Sequence, residues 1–272
     1  MNTPIIIICK DRVNYLDIEL KSLSATLPRN TQVYISNDGT TSKQMIEYLT
    51  TNNKIYCDKW MFPNYNNDWN NIIGILPVTD IVGIKGKVQV ILYEKSEGTK
   101  NLGLSVKYVF ENSNSDYVIK MEDDLIFTKG WYQSLIKAII SSGCDLVSGF
   151  RYFFGEVKIK PINELTEEIC SGWTGGQLMI VSRNYYKHCP YVFNNDIKTI
   201  WNNDDLWIDE CRKAGLRFAV TKKSICQHIG FQTESKQKGF IKDGKLLKID
   251  PKVFSIVFGT KIEFFKYNIP ML

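Results

Sequence analysis

The sequence predicts an α/β fold: a mostly parallel central sheet flanked by helices and closed into a single compact domain. Three observations predict it. Short runs rich in β-branched residues alternate with helix-length amphipathic stretches from the start of the chain. The runs end in polar or charged residues, at the carboxyl ends where such sheets hold their ligands. No internal repeat and no Pro/Ser linker divides the 272 residues, and a chain of about 300 residues buries roughly three quarters of its unfolded surface.

Ile5 to Cys9 is a short apolar run that suits a strand covered on both faces. After "KDR", Tyr15, Ile18, Leu20, Leu23 and Leu27 recur at helical spacing, and Pro28 ends that helix. "TQVYISND" reads as the second strand, closed by the turn-former Asp38-Gly39, and "SKQMIEYLTT" as a helix with Ser42 at its N-cap. Residues 52–86, rich in Asn and aromatics, read as loops. "KVQVILY" is a further strand, "NLGLSVKYVFENS" a helix and "DYVIKM" a strand. "GWYQSLIKAIISSG" then reads as a helix, "DLVSGFRYFF" as one strand, and "GQLMIVSR" as another behind "SGWTGG". "DDLWIDECRKAG" is a helix, followed by the short strands "RFAVTK" and "SICQHIG". The predicted organisation is a domain over 1–240, with a first half 1–125 and a second half 126–240, and a C-terminal extension 241–272 packed on it.

With 44% hydrophobic and 23% charged residues, the chain falls among ordinary globular proteins. The net charge of +5 is scattered, with no block of like charges, which argues against a nucleic-acid partner. Seven dispersed cysteines without a C-x-x-C pair imply neither a disulfide framework nor a zinc cage. The N-terminus has too short an apolar run for a signal peptide and no stretch is long enough to span a membrane, so a cytoplasmic protein is expected. The aromatic, lysine-bearing tail is expected to pack on its own domain, with peripheral membrane contact as the lesser reading.

Glu122, Asp123 and Asp124 stand at the end of a strand that reads as buried. Carboxylates gathered there repel one another unless a cation neutralises them, and Mn2+ or Mg2+ favours one or two carboxylates together with substrate phosphates. The ligand implied is a diphosphate. Lys10, Asp11, Arg12, Asn37 and Asp38 follow the first two strands and belong to the same rim.

Five blocks, "PIIIICKDR", "YISNDGTTS", "NLGLSVKYVFENSNSDYVIKMEDD", "GWTGGQLMIVSR" and "NNDDLWIDECRKAGLRFAVTKKSICQHIG", occur in the order found in inverting GT-A glycosyltransferases. The chain resembles their family 2 type over residues 4 to 231, and the last block is similar to N-acetylglucosaminyltransferases that act on mannosides. The resemblance implies a Rossmann-like GT-A fold and transfer of a sugar from a nucleotide-diphosphate donor, a UDP-sugar, to a hydroxyl of a glycan or other acceptor. It also implies site roles. Glu122-Asp123-Asp124 is similar to the D-x-D element, with Asp124 as metal ligand and Glu122 or Asp123 nearer the ribose. Asp38 matches a residue on the uracil or ribose, although Asp-Gly also suits a plain turn. Lys10 and Arg12 fall where the family contacts the base and ribose. His228 matches a further ligand of the same Mn2+ or Mg2+ ion, whereas a lone histidine also suits a packed position. Trp173 and Gly176 match a segment that meets donor sugar and acceptor; apart from the resemblance, the composition of the Asn-rich insert suits Trp60 and Trp69 to an acceptor wall. Asp205, or Asp204 in another register that puts Asn203 at the matching position, takes the place of the base that deprotonates the acceptor; Asp at a helix start also caps it.

Two other classes fit parts of this pattern. A nucleotidyltransferase shares the sheet and the metal-binding acids but would carry a Gly-rich basic loop after the first strand, and "IIIICKDRVN" has no glycine. A non-catalytic sugar- or nucleotide-binding module would need no base at Asp205.

Overall fold

The computed structural model describes residues 3–51, 72–78, 88–93, 96, 98, 100–193, 203–228, 241–242 and 245–246. Trp60, Trp69 and most of the C-terminal extension lie outside the described residues.

The first half of the chain runs β1 (Ile5–Cys9), α1 (Val13–Thr26), β2 (Val33–Asn37), α2 (Lys43–Thr51), β3 (Ile72–Val78), β4 (Val88–Tyr93), α3 (Lys100–Glu111) and β5 (Tyr117–Glu122). Then come β6 (Leu125–Phe127), α4 (Trp131–Ser142), β7 (Leu146–Ser148), β8 (Phe153–Pro161), β9 (Thr166–Thr174), β10 (Leu178–Ser182) and α5 (Arg183–His188). A 3-10 turn at Pro190–Phe193 precedes α6 (Asn203–Lys213), β11 (Phe218–Thr221), β12 (Cys226–His228) and the two-residue strands β13 (Ile241–Lys242) and β14 (Lys245–Leu246). Among the described residues no helix is long and apolar enough to cross a membrane.

One ten-stranded sheet runs β3-β4-β2-β1-β5-β10-β7-β11-β9-β8. Its centre, β4-β2-β1-β5, is parallel. Antiparallel strands extend it on both sides, with β7 and β11 as one further parallel pair. Side-chain alternation along β1 explains the two cores: Ile5, Ile7 and Cys9 pack with Leu16, Leu20 and Leu23 of α1 and with Trp131 and Leu135 of α4. Ile6 faces the opposite layer, with Val106 and Phe110 of α3, Tyr185 of α5 and Trp207 of α6. Helices thus cover both faces, as the continuous apolar runs of β1 and β2 require.

Three expectations about elements need correction. Residues 72–78 are not loop but the edge strand β3, antiparallel to β4. "DLVSGFRYFF" is not one strand. It leaves the ladder after Ser148, whose Oγ donates to Phe150 O at 3.0 Å, and a Cβ on Gly149 would lie 2.7 Å from Leu178 and 3.0 Å from Ile225. The chain then turns into β8, which pairs with β9 in a hairpin, so Trp173 stands on a strand.

Ser42 does cap α2, its Oγ accepting from Met45 N–H at 3.3 Å. At α1 the cap position is Arg12, whose side chain makes no capping bond and is directed to the acidic rim.

Candidate active site

The parallel centre of the sheet ends at Cys9, Asn37 and Glu122, and the chain leaves β5 through Asp123 and Asp124 into β6. Asp123 and Asp124 are 1% and 0% exposed. Arg12 Nη1 donates to Asp124 Oδ2 at 2.6 Å, and Nη2 donates to Asp123 Oδ1. β12 pairs antiparallel with β6 and sets His228 opposite Leu125. That register brings His228 Nε2 to 3.1 Å from Asp124 Oδ1 and 3.8 Å from Glu122 Oε2. Asp124 therefore turns one oxygen to Arg12 and the other to His228. Glu122, Asp124 and His228 each offer a ligand atom, all within 4.8 Å of one another. Glu122 sits with Asp124 and His228, and Asp123 faces Arg12, in keeping with the alternation of an extended chain.

The charges push the groups apart. Burial works to raise the Asp124 carboxyl, but His228 and Arg12 outweigh it and hold it below the ordinary carboxylate range. Asp123 is pushed up to about 7, mainly by burial and against the pull of Arg12. Burial acts against the charge of His228, yet Asp124 prevails and raises the imidazole above its usual value. Burial likewise opposes the Arg12 charge, and Asp124, Asp123 and Glu122 overcome it.

Glu19 of α1 lies fully buried behind this cluster, and its Oε2 accepts the Leu125 N–H at 3.4 Å. Three residues on, Ser22 Oγ accepts the Phe127 N–H at 2.8 Å, so one face of α1 satisfies the free edge of β6. Burial first, then Asp123 and Asp124, raise the Glu19 carboxyl well above its ordinary value. A group raised on folding contributes stability that is full below its unfolded value, about 4.3, and lost as pH rises toward the folded one. Glu19→Gln keeps the acceptor and carries no titrating proton. The variant is expected to gain about 2–4 °C in Tm at neutral pH per kcal/mol recovered, and nothing near pH 4, in thermal unfolding followed across that range.

A second group lies along the same rim. Asp38, 6% exposed, accepts from Ser96 Oγ at 2.6 Å and from Gly98 N–H at 3.2 Å, while its own N–H donates to Cys9 O at 2.8 Å. Lys10 Nζ donates to the same Ser96 Oγ at 3.4 Å. Asn37 Nδ2 donates to Lys10 O at 3.1 Å, and Thr40 donates through its Oγ1 to Asp11. Asp38-Gly39 is both a turn, with Gly39 at φ 58°, and a tie to the segment after β4.

The "GWTGGQ" segment adjoins the acids. Gln177 O accepts the Glu122 N–H at 3.0 Å, and Gly176 O accepts from Lys120 Nζ at 2.7 Å. A Cβ on Gly175 would lie 2.3 Å from Gln177 Oε1 and 2.8 Å from the Phe150 ring, so any larger residue there would have to displace both side chains. Trp173 is 38% exposed, and its Nε1 donates to Asp209 Oδ1 of α6 at 3.3 Å. Trp173 therefore belongs to the seam between β9 and α6. Asp205 is half-buried in the first turn of α6. Asp204 precedes it on that helix, with its side chain outside the described part.

The structure thus gathers Arg12, Glu122, Asp123, Asp124 and His228, with Gly176 beside them and Lys10 and Asp38 farther along the rim. Glu19 and Lys120 were missed from sequence. Their signal was a charged residue on an apolar stripe, Glu19 between Leu16 and Leu20, and Lys120 inside "YVIKM".

A family model described as glycosyl transferase family 2 matches residues 83–223, just over half of the chain. Among curated proteins no sequence matches significantly. Solved structures that match include residues 1–349 of S. aureus TarS in complex with UDP-GlcNAc, at 15% identity and a TM-score of 0.53, over 83% of this chain and 58% of that one. The same TarS fragment in complex with UDP matches at 16% identity and 0.53, over 83% of this chain and 60% of that one. GalNAc-T7 with UDP, GalNAc and Mn2+ matches at 13% identity and 0.56, over 89% of this chain and 46% of that one. The chain spans 60% or less of each of these structures, and at such identities the likeness carries the GT-A fold.

Proposed function

The chain belongs to glycosyl transferase family 2, and from that membership we propose that it moves a sugar from a nucleotide-diphosphate donor, a UDP-sugar, to an acceptor hydroxyl with inversion. The observation that carries this reading is the meeting of Glu122, Asp124 and His228 beyond β5, beside the glycine turn at 175–177. UDP, UDP-GlcNAc and Mn2+ accompany the structural neighbours and support it.

The donor set fits a divalent cation. Two carboxylates and one imidazole suit Mn2+ or Mg2+ and leave coordination positions for a diphosphate. Asp123 Oδ2 and Gln177 Oε1 are buried without a hydrogen-bond partner, on the residue next to Asp124 and on the residue whose carbonyl accepts the Glu122 N–H. Glu122, Asp124 and His228 would hold the ion. Bound there, it would neutralise the charge that builds on the departing diphosphate.

Arg12 fixes Asp124 by its Oδ2 and so leaves Oδ1 turned toward the ligand position. Asp38 and Lys10 stand where the base and ribose of the donor would lie. Asp205 removes the proton from the acceptor hydroxyl as that oxygen attacks the anomeric carbon. The bond to the diphosphate breaks on the opposite face, so configuration inverts. The register read from "DDLW" in the sequence favours Asp205 over Asp204. Trp173 offers an exposed aromatic face for a sugar ring. We place the reaction in the cytoplasm, on the dispersed free thiols among the described residues.

A pH dependence follows. His228 holds its proton above the usual imidazole range, and a metal ligand must give that proton up. Mn2+ affinity is therefore expected to rise with pH until the raised His228 value is passed and to level off above it. His228→Gln should weaken binding and remove that share of the slope, as read by electron paramagnetic resonance titration of free Mn2+.

The reading is tested by incubating the protein with Mn2+ and a panel of nucleotide-sugars and recording which free nucleotide is released. Release from a UDP-sugar, lost on chelation, is the expected result. A folded protein that neither binds nor hydrolyses any donor would sink it.

A further inference from the structure

Lys120 is 0% exposed, an ammonium in the central strand of the sheet. Taking such a charge out of water costs several kcal/mol unless partners offset it. The partners are specific. Its Nζ donates to Gly176 O at 2.7 Å and lies 5.1 Å from the centroid of the Trp207 ring. Trp207 is itself fixed: Tyr185 stacks on it with ring centroids 5.6 Å apart and planes within 1°, and Tyr185 Oη donates to Trp207 O at 2.8 Å.

These contacts join three parts of the site. Lys120 stands two residues before Glu122, on the same face of β5. Gly176 belongs to the turn whose next residue, Gln177, accepts the Glu122 N–H. Trp207 lies on α6, two residues after Asp205. A methionine or leucine would fill this apolar space at lower cost, since apolar isosteres of buried charges are often neutral or stabilising. What an apolar side chain could not do is hold a carbonyl of the turn and the face of an indole at once.

We propose that Lys120 is a positioning residue: its ammonium clamps the 175–177 turn and helix α6 to β5, and so sets the spacing between the acidic rim and Asp205. The effect on turnover rests on the glycosyl-transfer reading; the clamp itself does not.

The test is Lys120→Met, with two readouts. Hydrogen exchange, followed by mass spectrometry, is expected to speed up in peptides covering 175–177 and the start of α6, and to stay unchanged in β1 and β2. With the donor identified by nucleotide release, kcat should fall about 10- to 100-fold, as a misplaced group far from the bond-breaking step can cause. The KM for donor and the Mn2+ affinity should stay within about threefold, and Tm should not fall, as befits an apolar isostere. Lys120→Arg, which keeps the charge, should recover part of kcat. Should Lys120→Met fail to fold, Lys120→Gln is read in the same way.

Unchanged exchange at both segments, or wild-type kcat, would overturn the proposal. So would a loss of kcat that only tracks a lowered Tm. If the wild-type protein releases no nucleotide from any donor, the functional reading falls, while the exchange data still decide whether Lys120 clamps the turn and helix.

Discussion

Asp124→Ala is expected to abolish Mn2+-dependent binding of UDP and to lower kcat/KM by about 10³-fold or more, because Asp124 bonds Arg12 through one oxygen, lies 3.1 Å from His228 through the other and is a ligand of the ion on the proposed reading. A change in transition-state stabilisation of that size corresponds to about 4 kcal/mol. Removing the carboxylate also takes from Arg12 one of its two acid partners, with Asp123 remaining, and from His228 its nearest acid; taking one partner out of a buried ion pair costs up to about 3–5 kcal/mol of stability. Binding is therefore compared in a variant shown to be folded, with Asp124→Asn as the milder alternative that keeps the shape. The same substitution releases His228 from the partner that raises it, and burial then pulls its pKa down. Calorimetric titration of Mn2+ and UDP checks the first point, and the titration of the imidazole by NMR the second. A binding isotherm identical to wild type would move the ion elsewhere.

Asp205→Asn should lower kcat by about 10²- to 10⁴-fold, the range for a lost general base, while Mn2+ and UDP bind as before. The substitution separates the two roles open to an aspartate at a helix start. Asp205 is the third residue of α6 and stands inside its first turn, so a purely structural Asp205 would give up little more than its favourable charge near the helix N-terminus, worth roughly 0.3–1 kcal/mol. Asp204→Asn made in parallel identifies which of the pair accepts the proton. If both variants turn over at the wild-type rate, neither aspartate is the base.

The central strands and helices were legible because β1, β2 and β5 are covered on both faces and so are mostly apolar, β5 broken only by Lys120 before it ends at Glu122, while α1, α3 and α4 carry amphipathic patterns. Edge strands lack that signal. β3 contains Gly74 and Pro77, and β8 alternates lysines with apolar residues in "FFGEVKIKP"; the sheet they join decides their conformation more than their own propensity. β6 and β12 have three residues each and depend on one another for pairing.

In the site, the acids of residues 122–124 declared themselves by position. Their division did not, since it depends on which way each carboxylate turns, although a period of two along an extended chain already separates Glu122 and Asp124 from Asp123. Arg12 read as a contact to the base and ribose of the donor because it follows the first strand, where the resembling family makes that contact. Its engagement with Asp123 and Asp124 depends on where α1 begins relative to β5, and no local pattern encodes that.

The pairing of β12 with β6 also bears on how the protein is made. As synthesis proceeds, Glu122, Asp123 and Asp124 leave the ribosome well before His228, with Arg12 alone to counter them. Closing so long a loop carries an entropic penalty, met only when the second half of the sheet has assembled. On the proposed reading, capture of an ion thus waits for β12, and a nascent chain cut short before it would lack His228 as a ligand.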